Sequence, residues 1–167
     1  MKKTIIIAAL ALMLAAAGAR AQDAAGIYKK YSGNPGVEAV YISPAMFRMI
    51  GELPEIPVDL NGDKVNLAPI IASLDGMYIL DSSNAGVNSK LSEDIRTFVG
   101  KGTFELLMEA VDEEEKVSMY TDPDRRDTDM LNGFLLHVDS PGETTFIYID
   151  GRMSRGDFEA LVSSAMK

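Results

Sequence analysis

Four short apolar segments in the second half of the chain most constrain its fold. Residues 104–111, 116–121, 131–138 and 144–149 are rich in aromatic, β-branched and long aliphatic side chains, the composition of pleated strands. Between them stand the acidic turn Asp112–Glu115, the polar stretch opened by Asp122-Pro123, and a tight turn at Pro141-Gly142. A parallel crossover needs about a dozen residues or more. These links are shorter, so the segments must form an antiparallel meander. In the first strand, Phe104, Leu106, Met108 and Ala110 are expected on one face, with Glu105 and Glu109 on the other. Leu107, Leu135 and Ile147 put apolar side chains on both faces of the strands. A sheet with one wet face alternates more cleanly, so a loop or a partner is expected to cover part of the second face.

The first half mixes helices and strands. Ala24, Ile27, Tyr28 and Tyr31 make a helical stripe, stopped by Ser32-Gly33-Asn34-Pro35-Gly36. Residues 37–42 read as a strand. Ser43-Pro44 opens a helix over 44–50, with Ser as cap and Pro in the first turn; Met46, Phe47 and Ile50 are expected on one side of it. Gly51, Pro54, Pro57, Asn61 and Gly62 predict a loop over 51–64. A short helix is expected after Asn66, a strand over 74–80 weakened at Asp75-Gly76, and a loop over 82–86. Leu91, Ile95, Phe98 and Val99 predict a helix over 89–99, ended by Gly100 and Gly102. A last helix is expected after Ser154, with Asp157 at the capping-box position and a stripe of Phe158, Leu161, Val162 and Ala165. The pattern predicts the α+β class: an antiparallel sheet ending in a four-strand meander, with helices mainly on one face.

The beginning of the chain predicts its compartment. Lys2 and Lys3 precede an apolar run from Ile5 to Ala17, followed by small-x-small sites at Ala17-Gly18-Ala19 and Ala19-Arg20-Ala21. This is the pattern of a secretory leader cut before Gln22. Residues 1–21 are read as a signal peptide and 22–167 as one domain. No cysteine stands at the cut, so no lipid anchor is expected. The apolar run falls short of the roughly 20 residues of a membrane span. The leader takes Lys2, Lys3 and Arg20 with it, leaving 13 of the 16 basic residues against all 25 acids, a formal charge of −12. Such a surface repels nucleic acid. With no cysteine in the chain, disulfides, thiolate metal sites and thiol redox chemistry are excluded.

Catalytic and metal-binding patterns are weak throughout. His137 is the only histidine; it is expected in the third meander strand, opposite Phe134, Leu136 and Val138. It is a conceivable general base, but no nucleophile or orienting carboxylate can be paired with it from sequence. Asp59-Leu60-Asn61-Gly62-Asp63 has Gly one place too early for a calcium loop, and Ile70 stands where the bidentate Glu belongs. Asp122, Asp124, Asp127 and Asp129 cluster in one turn, where Arg125 and Arg126 offset their charge. Glu113, Glu114 and Glu115 read as a hairpin tip. The nucleophile-elbow, zincin and phosphate-loop patterns do not occur. No cofactor is expected. Met46, Phe47, Met49 and Ile50 form a candidate interaction surface on the short helix, since methionines serve adaptable surfaces as well as cores.

The stretch Lys30-Tyr31, Gly36-Val37, Val40, Ile42-Ser43 and Met46 resembles the K-Y-x-x-x-x-G-V-x-x-V-x-I-S-x-x-M opening of a secreted Bacteroidetes family, domain of unknown function 4252. Phe104-Glu105-Leu106-Leu107-Met108-Glu109 is similar to its Y-E-L-L-M-E strand, and Ile149-Asp150-Gly151-Arg152-Met153 to its L-x-G-x-I/M ending. The resemblance implies an exported protein with a role in the cell envelope, and brings no catalytic residue with it. The expectation is therefore a non-catalytic periplasmic binding module, with an envelope protein or another periplasmic component as partner. The alternatives are a carboxylate-dependent hydrolase, which needs a cleft holding His137 or two facing acids, and a carrier of a small lipophilic ligand, which needs a deep apolar cavity.

Overall fold

The computed structural model describes residues 23–51, 57–60, 63–66, 71–123, 129–157 and 159. Local signals place most of the elements. Helix α1 (Ala24–Tyr31) starts where Asp23 accepts a hydrogen bond from the Gly26 amide at 2.7 Å, a side-chain cap on an otherwise orphaned donor. Strand β1 (Val37–Ile42) and helix α2 (Pro44–Gly51) follow; the Ser43 hydroxyl caps α2 by accepting from the Met46 amide at 3.3 Å.

Three expectations are corrected in this half. The span read as a loop over 51–64 contains a two-stranded hairpin, β2 (Pro57–Leu60) with β3 (Asp63–Asn66). The signal was the Asn61-Gly62 pair between them, a strong hairpin dipeptide. Asn66 is the last residue of β3; residues 67–70 of the short helix expected after it lie outside the described residues, and residues 71–72 are helical. Helix α3 (Ala85–Lys101) begins four residues before the expected start, capped by Asn84, whose side chain accepts from Gly86 at 2.9 Å. Gly102, not Gly100, ends it.

Strands β4 (Leu74–Ser82), β5 (Glu105–Val111), β6 (Lys116–Pro123), β7 (Met130–Ser140) and β8 (Glu143–Ser154) join β1 in one antiparallel sheet, in the order β1-β4-β8-β7-β6-β5. The meander is therefore present as expected, and β4 and β1 extend it from the free side of β8. Four of the pairings carry a register shift that bends the sheet. One falls at Asp75, where the sequence weakens. Another falls at Gly133, whose φ of 77° suits glycine and whose missing Cβ would stand 2.6 Å from the Tyr148 hydroxyl.

The core lies on one face. Ile27 and Tyr31 of α1 and Leu91 and Ile95 of α3 pack with Leu80, Leu135 and Phe146 of the central strands. The two helices are tied to each other, since Asp94 accepts from Lys30 at 2.5 Å and from the Tyr31 hydroxyl at 2.7 Å. This is the α+β architecture the pattern predicts. At the end of β8, the Ser154 hydroxyl accepts from the Asp157 amide at 3.0 Å and donates to its carboxylate at 2.7 Å. The expected capping pair is thus formed, while Phe158, Leu161, Val162 and Ala165 lie outside the residues whose side chains are described. So do the expected leader and most of the Asp122–Asp129 turn.

Candidate functional site

The candidate residues of α2 do not form one surface. Phe47 points inward at 5% exposure, whereas Met46 and Met49 stand out in solvent, Met49 at 68%. Ile50 is half-buried. The expectation of Met46 and Phe47 on one side fails because residues one apart on a helix diverge by about 100°. Phe47 is an anchor and the two methionines are the accessible part.

A larger apolar surface lies on the sheet face opposite α1 and α3. Strand alternation directs Val40, Ile79, Ile147, Leu136, Met119 and Met108 there, and the pairing places these six in register across all six strands. Ile42, Met77, Ile149 and Phe134 form a second row beside them. The central residues of both rows are half-buried; Val40 and Met108 at the two edges are 48% and 46% exposed. The row reaches β5 only because of a bulge. Leu106 pairs with Tyr120 but Met108 with Met119, so the register shift between them turns Leu106 and Met108 to opposite faces. The expected sharing of one face by Phe104, Leu106, Met108 and Ala110 is corrected accordingly. All seven residues of β5 are exposed, and among the described residues the strand pairs only with β6.

His137 sits on the helix-facing side of β7, as its alternation predicts, and is 7% exposed. Burial lowers its pKa below the ordinary value; Asp139 opposes this and Arg96 and Lys116 add to it. The ring is therefore neutral at pH 7. Its Nε2 is 3.4 Å from the Ser92 hydroxyl, which is 3.5 Å from that of Thr144. A working nucleophile–base pair is closer, about 2.6–3.2 Å. Among the described residues, no carboxylate hydrogen-bonds to His137. The imidazole borders a cleft of about 300 Å³ between α3 and the β6–β7 pair, lined also by Ile95, Val99, Lys116, Ser118, Tyr120 and Asp139.

A second cleft, of about 390 Å³, brings Asp23, Asp122 and Asp150 around Tyr78, Phe98 and Tyr148. Burial, with Asp75 nearby, raises the Asp150 pKa, and burial raises that of Tyr148. Asp122 accepts a hydrogen bond from the Thr103 hydroxyl. Sequence reasoning missed this gathering because its residues come from five elements and loops far apart in the chain. At the β5–β6 tip, the Asp112 carboxylate accepts from the Glu114 and Glu115 amides at 2.8 Å each, which lowers its pKa. The described residues contain no group of three side chains suited to hold a metal ion.

The family model described as Domain of unknown function (DUF4252) matches residues 31–161. No curated protein and no solved structure matches the chain.

Proposed function

We propose that this chain, which belongs to the family Domain of unknown function (DUF4252), is a non-catalytic binding module exported to the periplasm, where it holds a segment of an envelope protein against the β5 edge of its sheet. The observation that carries the reading is the apolar row from Val40 to Met108, in register across six strands on the face opposite α1 and α3. Apolar surface left on a sheet face costs free energy that a partner's contact recovers. The row ends on an exposed strand whose outer edge is unpaired among the described residues, a template for an added strand. Acids surround that edge: Glu105 and Glu109 on the strand, and Asp112, Glu113, Glu114 and Glu115 beyond it. The partner segment is therefore extended, apolar on one face and basic on the other.

The export reading rests on the leader pattern of residues 1–21, with 22–167 as the mature domain. Among the described residues, no helix is long and apolar enough to cross a membrane. A photo-crosslinking side chain placed at Met108, with the exposed α3 residue Glu93 as control, tests the reading in the native envelope. The expected adduct forms at Met108, maps to an extended basic-apolar segment of one protein, and is lost when Leu107→Pro blocks the edge. Equal labelling from Glu93, or a Met108 adduct that survives Leu107→Pro, overturns it.

The carboxylate-hydrolase alternative draws its support from the Asp23, Asp122 and Asp150 cleft, where the raised Asp150 pKa is the kind of perturbation a general acid needs. The lipophilic-carrier alternative has less, because each of the five described cavities is lined by charged side chains.

A further inference from the structure

One buried polar atom in the described structure has no partner, and it lines the His137 cleft. The Ser118 hydroxyl is 1% exposed and makes no hydrogen bond. A buried hydroxyl left unsatisfied carries the full cost of its lost hydration, so such a group calls for something that occupies the site. Ser118 pairs with His137 across the β6–β7 ladder, which puts the hydroxyl and the imidazole side by side on the cleft wall.

The charges around the cleft define its occupant. Arg96 and Lys116 line it. Asp139 takes a hydrogen bond from one Arg96 nitrogen at 3.0 Å, and Glu109 pairs with the Lys116 ammonium at 2.9 Å. A guanidinium has five N–H donors and an ammonium three, so each cation has further donors to offer. The other described cavities differ. Two of them are lined by the acid sets Glu38, Asp81, Glu143 and Asp112, Glu114, Glu115, and a third by Asp23, Asp122, Asp150. Of the five, only this cleft has two cationic side chains in its lining. Ile95 and Val99 supply an apolar wall opposite the polar one. At about 300 Å³ the space is at the lower end for ligand pockets.

We propose that the cleft between α3 and the β6–β7 pair binds a small organic monocarboxylate. The carboxylate accepts from the Ser118 hydroxyl and from Arg96 and Lys116, and the hydrocarbon body lies on Ile95 and Val99. Neutral His137 completes the wall as a hydrogen-bonding group. A dianion is disfavoured because Asp139 and Glu109 already neutralise much of the local positive charge. This site is separate from the β5 edge and stands whether or not a partner strand binds there.

The single histidine makes the test direct, since its ring signals in an NMR spectrum have one source. The purified protein is titrated with hexanoate, with hexanol as the neutral counterpart and with inorganic phosphate as the small anion. Hexanoate is expected to move the His137 signals saturably, while hexanol and phosphate bind at least about tenfold more weakly. Ser118→Ala and Arg96→Gln should each weaken hexanoate by about tenfold or more, the loss expected for one hydrogen bond to a charged group. Ser118→Ala should unfold in urea at a midpoint no lower than the parent protein, which separates lost binding from lost fold. Unmoved His137 signals, or equal hexanoate affinity in Ser118→Ala, overturn the proposal and leave Ser118 facing a buried water only.

Discussion

His137 shows how a single residue's role depends on what surrounds it. The chain places it on a strand, and alternation assigns its side. Only the packing of α3 over β7 buries it, with Ser92 and Ile95 above and Ser118 beside it. That burial has a pH consequence. The folded imidazole has a pKa below its ordinary value of 6.5, so on acidification the unfolded chain takes up a proton first. Stability contributed by the neutral buried ring is complete above about pH 6.5 and is lost as pH falls below it, levelling once the folded ring also protonates. Urea unfolding is expected to show lower stability at about pH 5.5 than at about pH 7.5, with a smaller difference in His137→Gln. An unchanged difference in that variant would contradict the burial argument. Ser118 belongs to the same scale: a serine in a strand carries no sequence signal, and its missing partner is visible only once the neighbours are in place.

Among the elements, most of those with capping residues were legible in the chain. Asp23 starts α1, Ser43 starts α2, and Ser154 with Asp157 stands at the end of β8, each through a bond within three residues. Helix α3 shows the limit of a stripe. Leu91, Ile95 and Phe98 locate its buried side, but its first turn has no apolar periodicity, so only the Asn84 cap marks the start. The β2–β3 hairpin was missed because Pro and Gly outweighed the Asn61-Gly62 signal. On α2, a stripe of apolar residues could not say which of them face inward. Phe47→Ala is expected to lower stability by about 3 kcal/mol, the cost of emptying a buried aromatic site, and Met49→Ala by less than about 0.5 kcal/mol. Denaturant unfolding of the two variants checks this, and similar losses would mean that Phe47 is not the anchor. The bulge near Leu107 is likewise silent in the chain: alternation predicts one face for Leu106 and Met108, and pairing with β6 separates them.

For the whole molecule, sheet order governs how stability is distributed. Strand β8 is paired on both sides, between β4 and β7, while among the described residues β1 and β5 are each paired on one side alone. Amide exchange is expected to be slowest in β8 and in the β4 and β7 residues paired to it, and fastest in β5 and β1. Hydrogen-exchange mass spectrometry checks the order; protection of β5 equal to that of β8 in the isolated protein would mean the edge is covered. Fold class and most of the secondary structure were determined by the chain alone, because short links, caps and alternation act over a few residues. So was the chemistry available to it, since a chain with one histidine and no cysteine has few reactive groups to offer. The tertiary structure decided the rest: that β4 and β1 add beyond β8, that one apolar row crosses six strands, and that Ser118, His137, Arg96 and Lys116 share a cleft. Each of these brings together residues far apart in the chain, and long-range pairing depends on the register and packing of the whole sheet, which no local window contains.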